Sequence, residues 1–113
     1  MRYPKPTEQQ IQKTILDYLK INPLVAWVKR NNAGKVVIGE GNKKRYMNVG
    51  KQGEADVIGM LKGGRFFAIE IKRSGKYAKP SQEEWLNNIR KYGGIGIVAN
   101  SLENVEQMLV EIN

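Results

Sequence analysis

The chain has 113 residues, is 41% hydrophobic, and carries nineteen Lys and Arg against eleven Asp and Glu, a net charge of +8. That size fits one globular domain with a modest core, and no apolar run is long enough to span a membrane. It contains no cysteine and no histidine, which excludes disulfides, thiol nucleophiles, cysteine-ligated zinc and the usual imidazole base, so acid, base or metal chemistry falls to Asp, Glu, Lys or Tyr.

The first predicted element is a helix over Thr7 to Lys20. Ile11, Ile15, Tyr18 and Leu19 recur at helical spacing, and Thr7 with Gln10 has capping-box spacing behind Pro6. Asn22-Pro23 stops it. The preceding MRYPKPTEQQ is basic but leads into an amphipathic pattern, so a secretory signal is not expected and the reading is a cytoplasmic protein. Val25 to Arg30 has strand character, and Lys35 to Ile38 with Arg45 to Val49 resembles a hairpin around GEGNKK.

Two apolar strands follow, ADVIGML (Ala55 to Leu61) and FFAIEIK (Phe66 to Lys72), joined by a turn on Gly63-Gly64. Ser81 and Glu84 have capping-box spacing at the head of a helix with Trp85, Ile89 and Tyr92 inward and Gly93 as its stop. Ile95 to Ala99 is a short strand, and Ser101 caps a last helix striped by Leu102, Val105, Met108, Leu109 and Ile112. The expected order is α-β-β-β-β-β-α-β-α, an α/β (α+β) single domain over 1–113 with a central mixed sheet flanked by helices.

FFAIEIK poses a chemical question. Alternation places Phe67, Ile69 and Ile71 on one face, with Phe66, Ala68, Glu70 and Lys72 on the other, so the second face begins apolar and ends with a carboxylate and an ammonium. Carboxylates holding Mg²⁺ or Mn²⁺ could activate water on a phosphodiester without histidine, with a lysine to orient it. Asp56 in the preceding strand would add oxygen donors. It shares a face with Glu70 only if the connecting loop has an odd number of residues, which predicts a three-residue loop Lys62-Gly63-Gly64 with Leu61 opposite Arg65. Two opposed carboxylates repel without a cation, which is a reason to expect one there.

The order of Glu8 in the first helix, GEAD (Gly53 to Asp56), EIK (Glu70 to Lys72) and Ser81-Gln82 opening a later helix resembles the VRR-NUC domain, a branch of the PD-(D/E)xK nuclease superfamily. The resemblance covers nearly the whole chain and implies a restriction-endonuclease-like core. By similarity, Asp56, Glu70 and the main-chain carbonyl of Ile71 would hold Mg²⁺ or Mn²⁺, Glu8 would act on the metal or its waters, Lys72 would serve the attacking water, and Gln82 would support the site. Ala55 stands where many relatives have proline.

Each residue also has a plain reading. Glu70 and Lys72 alone would be a solvated pair, Glu8 a helix-dipole partner, Gln82 an ordinary first-turn residue, and Gly53 a positive-φ position. Trp85 reads as core, and Trp27 as either core or a base-stacking surface. GEGNKK and GGIGIV match neither a P-loop nor a dinucleotide fingerprint.

The basic residues Lys29, Arg30, Lys35, Lys43, Lys44, Arg45, Lys51, Arg73, Lys76 and Lys79 fall in the hairpin and around the proposed site, where they could grip phosphates without reading sequence. The resemblance implies a metal-dependent deoxyribonuclease acting on branched DNA such as four-way junctions, in phage or mobile-element replication and DNA repair, and a homodimer for paired cuts. A non-catalytic basic nucleic-acid-binding module and an RNA-processing endonuclease are the alternatives.

Overall fold

A computed structural model describes residues 4–31, 34–49 and 53–112. The elements are α1 (Glu8–Ile21), β1 (Val25–Arg30), β2 (Gly34–Ile38), a short 3-10 turn (Gly41–Lys43), β3 (Arg45–Val49), β4 (Val57–Leu61), β5 (Phe66–Ile71), α2 (Pro80–Lys91), β6 (Ile95–Ala99) and α3 (Leu102–Glu111). The order of helices and strands is the one expected. The strands divide into a four-stranded sheet in the order β1-β4-β5-β6 and a separate β2-β3 hairpin. β1, β4 and β5 are antiparallel neighbours, whereas β6 runs parallel to β5, so the main sheet is mixed. Among the described residues no helix is long and apolar enough to cross a membrane.

The sheet separates two apolar layers. On one face Val57, Phe67, Ile69 and Ile71 pack with Ile11, Ile15 and Leu19 of α1 and with Val105, Met108 and Leu109 of α3. Each such side chain contributes about 1.5–3 kcal/mol when fully withdrawn from water. α1 starts as its sequence predicts: the Thr7 hydroxyl accepts from Gln10 N–H, and the Gln10 side chain accepts from Thr7 N–H. The opposite face is smaller, with Ala55, Ala68 and Leu86 buried and Trp85, Ile89, Ile58 and Val98 half-buried around them.

Three local readings need correction. α2 begins at Pro80 with Lys79 as N-cap, so Ser81 lies inside the helix and the Ser81/Glu84 spacing caps nothing. The working partner is Gln82, whose Oε1 accepts from Lys79 N–H at 2.8 Å. Proline at the first helical position fixes the entry two residues earlier than the serine suggested. Tyr92 is exposed, not inward, because the helix closes at Lys91: Gly93 N–H bonds to Arg90 O and Gly94 N–H to Ile89 O, which turns the chain out of the helix before Tyr92 can face the sheet. Ser101 is the N-cap of α3, but its side chain makes no capping bond. Asn104 reaches back instead and accepts from Asn100 N–H.

Candidate metal centre and its support

The connection between β4 and β5 decides whether two carboxylates can meet. Val57 pairs with Ile69 and Met60 with Phe66, and Leu61 N–H donates to Arg65 O at 2.9 Å, so the loop is Lys62-Gly63-Gly64. Its odd length, with positive φ at both Gly63 and Gly64, carries the register onward to set Asp56 opposite Glu70. Both side chains therefore project to the α2 side of the sheet, as does Lys72.

The Glu-x-Lys pair is not solvated. Glu70 is 2% exposed, and the Lys72 ammonium lies 3.7 Å from its Oε1. That same Oε1 accepts from Gln82 Nε2 at 2.9 Å. Because the other end of the Gln82 amide accepts from the α2 N-cap, one side chain ties the helix start to the strand carboxylate. Asp56 is fixed independently: its Oδ2 accepts from Ile71 N–H at 2.9 Å, across the β4-β5 junction.

Sequence spacing gave no hint of Asn31. Its backbone N–H donates to Asp56 O at 2.8 Å, and its Nδ2 donates to Ala55 O at 3.1 Å. The residue after β1 thus holds the segment carrying Asp56 by two carbonyls. The bonding positions are 24 and 25 residues apart in sequence, with no local periodicity to reveal them.

Gly53 shows why this segment needs glycine. Its φ is +87°, and a Cβ there would lie 2.5 Å from the Ser81 carbonyl oxygen and 3.2 Å from Gln82 N. The chain ahead of Asp56 therefore runs directly against the first turn of α2. Gly53→Ala should displace that turn, loosen the Gln82–Glu70 bond and lower stability by about 1–3 kcal/mol. Thermal melts check the stability, and a Gly53→Ala protein as stable as the parent would contradict this contact.

The electrostatics are those of a site short of positive charge. Among the described residues, Glu70 Oε2 is buried without a hydrogen-bond partner. Burial first, and then the neighbouring Asp56 carboxylate, push the Glu70 carboxyl up from its ordinary 4.5 to about 8, against the smaller opposing pull of Lys72. A folded-state value above the unfolded one means that the protonated group favours folding at low pH, an advantage lost as pH rises through about 8. Metal-free protein should accordingly lose stability between about pH 5 and pH 8, on the order of 3 kcal/mol from this group. Melts in chelator across that range test it, and Glu70→Gln should flatten the slope.

Two hard-oxygen side chains on one face, one with an orphaned buried oxygen, are a donor set suited to a divalent cation such as Mg²⁺ or Mn²⁺. Ile71 lies at the same place, its N–H already engaged by Asp56. Glu8 is not brought to the pair. It is exposed in the first turn of α1, the helix packed on the opposite face of the sheet, and among the described residues no three Asp or Glu are grouped to hold a metal. Lys29, Arg30, Lys43, Lys44, Arg73, Lys76 and Lys79 are exposed. Lys35 and Arg45 lie in the hairpin strands β2 and β3, whereas Lys51 lies outside the described residues.

No family model matches the chain, and no curated protein does. Among solved structures, it is similar to one described as a VRR_NUC domain protein, with a TM-score of 0.66 and 24% sequence identity over 94% of this chain and 87% of that one. The mixed sheet with its flanking helices is therefore the fold of a VRR-NUC domain.

Proposed function

We propose that this chain is a divalent-metal-dependent nuclease that hydrolyses DNA phosphodiesters, acting in the cytoplasm as a structure-selective endonuclease on branched DNA. The observation that carries the reading is Glu70: a buried carboxylate with an unpartnered oxygen, opposite Asp56 and beside Lys72. The likeness in fold to a VRR_NUC domain protein supports it, as does a net charge of +8 with exposed lysines and arginines to hold phosphates.

Asp56 and Glu70 would hold Mg²⁺ or Mn²⁺, with the Ile71 carbonyl available as a further oxygen. When bound, the cation supplies charge neutralisation at the phosphate and a more acidic water. Lys72, steadied by Glu70, orients the attacking water and opposes the negative charge that develops in the transition state. Gln82 keeps the Glu70 carboxylate aimed by holding one of its oxygens. The exposed cations bind the backbone on either side and place the scissile phosphate. A homodimer would supply the two sites that symmetric junction cleavage requires.

The acidic group comprises two side chains, not three, among the described residues, and this favours the competing reading of a basic module that binds without cutting. Incubating the protein with four-way junction, linear duplex and RNA, each with Mg²⁺, Mn²⁺ or chelator, separates the readings. The proposal expects metal-dependent cleavage with junction DNA preferred. Binding that weakens with salt but never yields product would leave only the binding module.

A further inference from the structure

The α2 face of the sheet is only partly roofed. α2 packs over β5 and β6, while the β1 side of the same face carries Trp27, which is 41% exposed. Register fixes its direction. Trp27 pairs with Met60 and Lys29 with Ile58, and Met60 and Ile58 alternate along β4 with Asp56, so Trp27, Lys29 and Asp56 all project to one side. An irregularity between Val25 and Trp27 shifts the strand by one residue and turns the indole onto this face. Neighbouring Val28 falls on the other face, against the α1 layer.

We infer that Trp27 is a stacking platform for an unpaired nucleotide of the strand entering the Asp56–Glu70 site, with Lys29 holding a phosphate between the two. The inference rests on the nuclease reading and specifies its substrate class as DNA with unstacked nucleotides close to the cut. Met60 and Asp56 are four residue steps apart along the chain, roughly 13 Å at strand spacing. That distance corresponds to about four nucleotides at the ~3.4 Å spacing of a stacked strand, and fewer if the strand is drawn out. An indole on an open sheet face can meet the π-face of a base only when the base has left its own stack. Stacking of this kind is tolerant of sequence. The lysine two residues along β1 is exposed and supplies charge complementarity to the phosphate. Forked DNA with single-stranded arms offers unpaired nucleotides beside the branch, and a blunt duplex does not.

The test uses an Asp56→Asn background, which keeps the DNA intact, and compares a forked duplex bearing single-stranded arms with a matched blunt duplex by fluorescence polarisation. Trp27→Ala should weaken binding of the fork at least about tenfold while changing the blunt duplex by less than about threefold. Trp27→Phe, which keeps an aromatic face, should restore most of that affinity and abolish the quenching of protein fluorescence caused by the fork. Melting curves establish that both variants are folded. Equal losses on both DNAs, no loss on either, or quenching that persists in Trp27→Phe would overturn the platform. A parent protein that binds neither DNA would instead sink the nuclease reading itself.

Discussion

Asp56→Asn should reduce cleavage by roughly a thousandfold or more and, in metal-free protein, raise the melting temperature. The two effects share one cause. The carboxylate of Asp56 opposes ionisation of Glu70, whose Oε2 is buried with no hydrogen-bond partner among the described residues. Without a cation the pair costs stability, and on the proposed nuclease reading a bound cation would add several kcal/mol of transition-state charge stabilisation. Asparagine retains an oxygen to accept from Ile71 N–H, so the β4-β5 junction stays closed, and removal of the negative charge relieves Glu70. A gain of about 1 kcal/mol would move the melting point by about 4–8 °C for a domain near this size. DNA affinity in chelator should be unchanged or tighter, since a negative charge is lost from a basic surface. Thermal melts, cleavage rates and DNA titrations on the same preparation check all three. A variant that is inactive because it is misfolded would fail the stability arm.

Lys72→Ala should also abolish most cleavage, about 10²–10⁴-fold, but by a different route. The Lys72 ammonium faces Glu70 Oε1 across 3.7 Å and is itself largely enclosed, its side chain 13% exposed. Its removal takes away a positive charge that holds the Glu70 carboxyl down and, on the proposed reading, the group that would orient the attacking water. Mn²⁺ binding should survive, because both carboxylates remain. The loss should therefore appear in the catalytic rate and not in metal affinity. Lys72→Arg should not recover the rate, since a planar guanidinium fills the same enclosure with different donor directions. Cleavage rates measured across a Mn²⁺ titration separate the two quantities. A Lys72→Ala protein that regains full rate at high Mn²⁺ would mean that lysine serves only to retain the cation.

The features that proved legible in the sequence were those written in short-range periodicity or in parity. The α1 capping box, the alternation of Phe67, Ile69 and Ile71, and the odd loop that brings Asp56 opposite Glu70 each follow from local rules. Parity was the most informative, because a shift of one residue would have sent the carboxylates to opposite faces. The rest depends on where separate elements come to lie. Glu70 is buried because the first turn of α2 brings Gln82 onto it, and the Ser81/Glu84 spacing obscured that arrangement by suggesting a later helix start. Asn31 and the Gly53–Ser81 contact join segments far apart in sequence, so no window of residues contains both partners. Glu8 illustrates the converse: a motif position names a residue type, whereas its reach to the site is set by the packing of α1 on the far face of the sheet.

The central claim is that Asp56 and Glu70 together form a seat for a divalent cation. Its most direct test is a Mn²⁺ titration of the parent protein and of Asp56→Asn and Glu70→Gln, followed by electron paramagnetic resonance at neutral pH. The account predicts saturable binding in the parent and loss of that binding in each variant. Saturable binding that is indifferent to both substitutions, or none in the folded parent, would contradict it.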